Sequence, residues 1–398
     1  MLGNGMQGTL LGIRGALEDF STFEMSMVMS AYFLGFFGGS KLAPGMIRRV
    51  GHIRVFAALG SFISAILILF PSITDPWVWM LLRVAIGFCF SGVYVTAESW
   101  LNNAATNENR GKSLSLYLIV QMLGIIAAQG LLVLADPSGY TLFVISSVLV
   151  SVSFAPILLS VKPTPTFETA KPMTLRSLYK VSPLGCVGMF LLGGIFSAQF
   201  GMSAVYATRI GLELTEISLF IATIYIGAVV LQYPIGWLSD RMDRRVLILA
   251  VAVAGALAAY VGVFFGGSFQ VLLGVGFVVG GLSNPLYSLL LAYTNDFLEL
   301  EDMAAASGGM VFINGMGAIA GPLITGWLMD IAGPSGFWLY ISVLMVALAG
   351  YAAYRMTQRA AVAGAHTGTY VGVSPSASAL AIEAAQEWAV EAADDDQS

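Results

Sequence analysis

Residues 236–245 read GWLSDRMDRR, and residues 40–49 read SKLAPGMIRR. Set one under the other, they align Leu42 with Leu238, Met46 with Met242, and Arg48 and Arg49 with Arg244 and Arg245, at a constant offset of 196 residues. Each stretch is a short basic connection between two long apolar runs. A connection duplicated at a fixed distance means that the runs around it are duplicated too, so the chain consists of two related halves.

Composition says what those halves are made of. Of 398 residues, 57% are apolar and 10% charged, and the mean hydropathy is +0.82. Ordinary soluble domains carry about 45–50% apolar and about 25% charged residues, so a soluble enzyme is excluded and the chain belongs in a bilayer. Cys89 and Cys186 both fall in apolar runs, and His52 and His366 are the only histidines. Neither a disulfide framework, a metal site nor a His-based catalytic cluster is expected, and no cofactor. The net charge of −5 is a property of the C-terminus: Glu383, Glu387, Glu391, Asp394, Asp395 and Asp396 follow the last basic residue, Arg359. The low pI therefore carries no information about a partner, and nothing points to nucleic acid.

A spanning helix needs about 20 mainly apolar residues. Eleven such runs are expected near residues 24–42, 53–71, 77–100, 113–134, 140–161, 184–206, 215–236, 245–266, 269–293, 304–329 and 335–356. Residues 1–17 form a twelfth, truncated span, because only thirteen residues precede Arg14. These runs predict an all-α membrane protein with an N-terminal bundle over 1–161, a linker over 162–183, a C-terminal bundle over 184–356 and an acidic, largely disordered tail over 357–398. Within the tail, ALAIEAAQEWAVEAA has the spacing of a short helix with Glu383, Glu387 and Glu391 on one face, but no packed fold is expected.

Lys and Arg set orientation. Fifteen of the 18, among them Lys41, Arg48, Arg49, Arg54, Arg110, Lys112, Arg241, Arg244, Arg245, Arg355 and Arg359, lie in alternate connections. That side is expected to be cytoplasmic, with both termini on it.

The second copy, G-x-L-S-D-R-x-D-R-R, resembles the signature between the second and third helices of each half in the major facilitator superfamily, with Asp243 where the family usually has Gly. Arg83 followed by Gly87 in LLRVAIGFCFSG resembles that family's fourth-helix arginine motif. Gly317, Gly321, Pro322 and Gly326 in GAIAGPLITG resemble its Gly-Pro motif, whose first-half counterpart near Gly124 carries Gln129 in place of Pro322. GNGMQGTLLGIRG, RRVGHIR and AESWLN are similar to the YcaD-like bacterial branch. The resemblance covers residues 1–356. It implies a major facilitator fold, two six-helix bundles related by a pseudo-twofold axis, rocking about a central site lined by the first, fourth, seventh and tenth spans.

A gate is suggested by charge. A helix start carries partial positive charge, so Asp240 would be stabilised at the start of the fifth span near Lys112. By pseudo-symmetry a carboxylate should face the eleventh span, but Pro44 stands there, and Glu299, Glu301 and Asp302 supply the charge locally towards Lys41, Arg48, Arg49 and Arg54. With Arg241, Arg244 and Arg245, these form two candidate clusters closing the cytoplasmic side. The plainer alternative is that the basic residues only set topology.

Ionisable residues inside spans are costly and mark function by default. Arg14 and Arg83 are candidates for an anion-attracting patch, against snorkelling for Arg14 and backbone hydrogen bonding for Arg83. Glu98 is the candidate carrier of a coupling proton, against a helix-end carboxylate beside Trp100 and Asn102. Fifteen residues, about 22 Å of helix, separate Arg83 from Glu98, so they cannot pair directly. The neutral candidates are Asn4, Gln7, Gln121, Gln129, Gln199, Tyr206, Asn284, Tyr287, Tyr293 and Asn314, with Asn284-Pro285 the best local pointer, since Pro frees a carbonyl.

No nucleotide-binding loop of the G-x-x-x-x-G-K-[ST] kind is present. The expected function is secondary active transport of a small solute across a bacterial cytoplasmic membrane by alternating access, coupled to protons, by a monomer that is not an enzyme. The alternatives are efflux of amphipathic compounds, and a non-transporting sensor or scaffold whose tail binds a partner.

Overall fold

The computed structural model describes residues 1–104, 107–158, 173–359, 370–379, 381–386 and 388, without the side chains of residues 103, 104, 107–112, 114, 115, 157, 158, 300, 301 and 304. Its helices are α1 (Leu2–Leu17), α2 (Thr22–Val50), α3 (His52–Ser72), α4 (Pro76–Ala104), α5 (Asn107–Leu132), α6 (Thr141–Leu158), α7 (Leu175–Val181), α8 (Pro183–Ser197), α9 (Ser203–Arg209), α10 (Leu214–Ser239), α11 (Arg244–Phe265), α12 (Phe269–Asn295), α13 (Leu300–Ala332) and α14 (Gly336–Gln358). Helix boundaries follow local chemistry. Ser21 and Glu24 close a capping box at the start of α2, while Gly51, at φ +85°, breaks α2 from α3 where a side chain would be strained.

Among the described residues, eight helices are long and apolar enough to cross a bilayer, and Leu116–Leu132 and Thr141–Pro156 are shorter apolar pieces. Helix α1 has 16 residues, about 24 Å of axis. The run expected at 184–206 is not one regular helix: a π-turn over Ala198–Met202 separates α8 from α9.

Helices α1 to α6 pack on one another as one bundle, and α8 to α14 as a second, meeting along α2 with α13, α5 with α10 and α1 with α9. The duplication is visible in the backbone. In the first bundle α2 and α4 approach so closely that a Cβ on Gly35 would strike the Val84 carbonyl, and one on Gly87 the Tyr32 carbonyl. In the second, Gly227 of α10 meets the Phe277 carbonyl and Gly280 of α12 the Ile224 carbonyl in the same way. Each pair lies 192 or 193 residues apart along the chain, slightly less than the offset of the basic connections. Small residues at crossings let helices dock without lipid between them.

One end of the molecule carries Arg48, Arg49, Arg244 and Arg245, and is called here the basic end; the other carries Glu18, Asp75, Asp136 and Glu213. The bundles are sealed together at the acidic end. Gly12 lies against Ala204, Gly326 against Ser26, and the Ser30 hydroxyl donates across the interface to the Ile319 carbonyl at 2.5 Å.

The expectation of a tail without packed fold is corrected over residues 370–379 and 381–386. Val373, Ser374, Ala377, Ser378, Ile382 and Ala385 are all buried. Val373 and Ser378 bond to the polar side chains of Ser288 and Glu98 inside the spans, a kind of complementarity that the low complexity of the tail does not advertise.

Gly87→Ala places a methyl group into the backbone of α2. Overpacking of this kind costs about 1–3 kcal/mol, so the thermal unfolding midpoint of the detergent-purified protein falls. Gly350→Ala, where nothing lies within 4 Å, leaves the midpoint unchanged or raises it; equal effects at both positions would show that the crossing is not tight.

Candidate functional site

Between the bundles lies a cavity lined by residues of both. Towards the acidic end it is roofed by rings contributed from both bundles: Phe200 of the π-turn lies 5.8 Å from Tyr32 and 6.1 Å from Phe33 of α2, centroid to centroid. Phe36, Phe37 and Tyr94 of the first bundle and Phe196 and Tyr225 of the second extend the aromatic wall. Asn4, Asn284 and Asn314 supply polar points on it, and residues 374–377 of the tail form its floor.

Behind the first-bundle wall runs a relay of hydrogen bonds. Arg83 is completely buried. Its guanidinium donates through Nη1 to Gln7 Oε1 and through Nε to the Val28 carbonyl at 3.4 Å, meets the Met29 sulfur at 3.3 Å, and stacks 4.6 Å from the centre of the Tyr32 ring. Gln7 donates to Asn4 Oδ1 at 3.1 Å, Tyr32 donates to the same oxygen at 3.1 Å, and Asn4 donates to the Tyr94 hydroxyl at 2.6 Å. Asn4, Gln7 and Arg83, read separately in the sequence, thus form one chain that ends at the cavity. The charge of Arg83 is held by dipoles and a ring face.

Arg14 takes separate partners. It pairs with Glu18 at 2.6 Å and donates to the Pro137 carbonyl at 3.3 Å, tying α1 to the connection after α5. Gln129 likewise braces α1 from α5, accepting from Thr9 at 3.0 Å and donating to the Gly5 carbonyl at 3.1 Å. Tyr206 stacks on Phe337 at 4.9 Å beside Phe220 and Trp338, an aromatic knot near the acidic end.

Of the second-bundle candidates, Asn284 and Asn314 line the cavity, and several are buried with polar atoms that have no partner among the described residues. The π-turn carries Gln199, whose Oε1 accepts from Ser283 at 3.0 Å while Nε2 has no partner. Asn284 donates to the Gly280 carbonyl at 3.3 Å and leaves Oδ1 unbonded, and the buried Tyr287 hydroxyl is also without a partner among the described residues. Asn314 donates to the Met189 carbonyl at 3.1 Å. In the first bundle Gln121 is buried, with neither amide atom bonded among the described residues. Irregular helix turns of the π type recur at functional sites, and here one displaces Gln199 and Phe200 into the interface.

Glu98 lies on the same face of α4 as Tyr94, one turn nearer the basic end, fully buried. Its carboxylate accepts from the Tyr117 hydroxyl at 3.1 Å and from the Ser378 amide of the tail at 2.9 Å. Sequence reasoning missed Tyr32, Tyr94 and Tyr117. The signal available was spacing: Tyr94 and Glu98 are four apart, as are Tyr117 and Gln121.

At the basic end the arginines are drawn into the second bundle. Arg244 pairs with Asp296 of the α12 end at 2.5 Å and with Asp240 at 3.6 Å. Arg245 pairs with Asp243 at 2.6 Å and donates to the Arg359 carbonyl at 2.6 Å; the Arg245 hydrogen bonds hold the Asp243 carboxyl below the usual carboxylate range. Arg241 covers the Trp237 ring at 4.2 Å. Asp240 accepts from the tail amide of Tyr370 at 2.8 Å. Lys41 bridges the bundles by lying 4.2 Å over Phe312 of α13. Arg49 and Asp302 are exposed, Arg48 is exposed and engaged, and the side chains of Lys112 and Glu301 lie outside the described residues.

Two six-helix bundles meeting around a polar and aromatic chamber, sealed at one end, are the framework of a membrane transporter. The family model described as Major Facilitator Superfamily matches residues 1–214 and 184–380, and the chain belongs to that superfamily. It is 26% identical over 351 residues to the uncharacterized MFS-type transporter YfkF of Bacillus subtilis, covering 85% of this chain and 89% of that one. It is 24% identical over 327 residues to the MFS-type transporter YcaD of Escherichia fergusonii, covering 81% and 84%. Among solved structures, a point mutant of the nucleoside transporter NupG superposes with a TM-score of 0.76 at 14% identity, covering 89% of this chain and 98% of that one. A bacterial homologue of the lysosomal transporter Spinster, inward-facing and unoccupied, gives 0.68 at 13% identity, covering 97% and 95%. The protein is a multi-pass membrane transporter.

An amide that is buried without partners costs about 1–3 kcal/mol. Gln121→Leu therefore raises the thermal midpoint of the purified protein. A lowered midpoint would mean that Gln121 is structural.

Proposed function

We propose that the protein is a secondary active transporter that carries a small uncharged, flat or amphipathic solute by alternating access and couples its movement to protons through Glu98. The observation that carries this reading is the aromatic wall built from both bundles, on which Asn284 presents an oxygen that has no partner among the described residues. Aromatic faces suit planar or amphipathic molecules, and a spare amide oxygen satisfies a polar edge. A hydroxyl and a backbone amide bonded to Glu98 allow the carboxylate to be held charged without a cation, and a proton relieves its burial. The basic end is the cytoplasmic side of a bacterial inner membrane by the distribution of Lys and Arg, which makes the present conformation inward-facing. The charged networks of Arg244 and Arg245 then brace the cytoplasmic ends of α10, α11 and α12, and Lys41 adds a contact between the bundles there.

Proteoliposomes enclosing a pH-sensitive dye test this. With a panel of nucleosides and amphipathic aromatic compounds added outside, a solute that enters is accompanied by protons. Glu98→Gln abolishes the proton signal and keeps solute exchange. A proton signal of undiminished size in Glu98→Gln removes Glu98 from the coupling mechanism.

A further inference from the structure

The cavity already has an occupant. Residues 370–386 enter between the bundles from the basic end and bind through their backbone. Tyr370 N–H donates to Asp240 at 2.8 Å, Val373 N–H donates to Ser288 Oγ at 2.9 Å, Ser288 donates back to the Val373 carbonyl at 3.2 Å, and Ser378 N–H donates to Glu98 at 2.9 Å. Two side-chain bonds add to these: Gln232 donates to the Tyr370 hydroxyl at 2.8 Å and Ser307 to Gln386 at 3.1 Å. The holding residues belong to α4 on one side and to α10, α12 and α13 on the other, so the segment touches both moving halves.

We propose that residues 370–386 are a built-in plug of the transport path, a peptide ligand of the chain's own cavity that must leave before solute passes the basic end. The inference rests on the alternating-access reading above. The composition of the segment suits the role: Gly372, Val373, Ser374, Ala377 and Ser378 are small enough to lie in a narrow cleft, and main-chain groups of Val373 and Ser378 make the bonds to Ser288 and Glu98. The segment turns at residues 375–376 and is helical over 381–386, and it occupies the place where a solute would otherwise reach Glu98 and Ser288. A ligand tethered by the ten residues 360–369 has an effective concentration on the order of 1 mM. An intrinsic affinity of only about 0.1 mM then keeps the site filled about ten times as often as empty. The plug is thus dominant at rest and easily displaced. While it is seated, its amide is bonded to Glu98 and its bulk separates α4 from α12, so the basic end cannot close.

Two measurements that require no transport test this. In a protein with Cys89→Ala and Cys186→Ala, the cavity-lining position Val311→Cys is labelled by a sulfonated maleimide, in the full chain and in a chain ending at Arg359. Labelling is expected to be roughly tenfold or more faster without the tail. In the full chain, Ser288→Cys with Val373→Cys is expected to form a disulfide on mild oxidation in membranes, reversed by reductant. Equal labelling rates, or no disulfide, each overturns the plug. Because neither readout uses solute or proton flux, failure of the plug is distinguishable from failure of the transport assignment: a plugged protein that carries nothing still passes both tests.

Discussion

Hydrocarbon offers no hydrogen bonds, so each polar group placed between these helices must be met by another protein group or by something that enters. This constraint divides the interior in two. Arg83 is satisfied: Gln7, the Val28 carbonyl, Met29 and the Tyr32 face surround it, and the relay through Gln7 fixes Asn4 against Tyr94. A buried cation left without a carboxylate partner is normally costly, yet here a set of dipoles and a ring face hold it. Gln121, Gln199, Asn284 and Tyr287 have polar atoms left over. The first group is tied into the wall, and the second has polar atoms without a partner among the described residues.

The proposed alternating access also requires the wall to move. Backbone-to-backbone crossings at Gly35 and Gly87, and at Gly227 and Gly280, hold each bundle together as a unit. Contacts between bundles are of another kind: single hydroxyls such as Ser30, stacked rings such as Tyr32 with Phe200, and small residues such as Gly12 with Ala204. Rigid bodies joined by an interface of modest, separable contacts favour rocking over deformation. The arginine networks at the basic end serve the same division, since the ion pairs of Arg244 and Arg245 stay within the second bundle.

Much of this is legible in the sequence for a physical reason. Apolar length decides membrane helices almost alone, so the runs near 53–71, 77–100 and 245–266 correspond closely to α3, α4 and α11. The duplicated basic connection reveals the two halves, and the cost of burying ionisable groups points to Arg83 and Glu98. Partners are harder. That Arg83 reaches Asn4 through Gln7 depends on how α1 lies against α4, which no spacing within one helix encodes. The π-turn at Gln199 arises in a run that reads as regular helix. Asp240, expected from the sequence to face the start of the fifth span, bonds instead to Arg244 and to Tyr370. The tail eludes composition because the amides of Tyr370, Val373 and Ser378 carry much of its recognition, and every sequence has such groups.

The central claim is that two rigid halves open a shared chamber to opposite faces in turn. Spin labels at Ser138 and Glu213 report the acidic end, and labels at Arg49 and Arg241 report the basic end, in pulsed electron resonance on protein in nanodiscs. Two distance populations are predicted for each pair, changing in opposite senses when solute or acid shifts the balance, with the acidic pair short whenever the basic pair is long. A single unchanging distance at both ends, under every condition, would contradict the account.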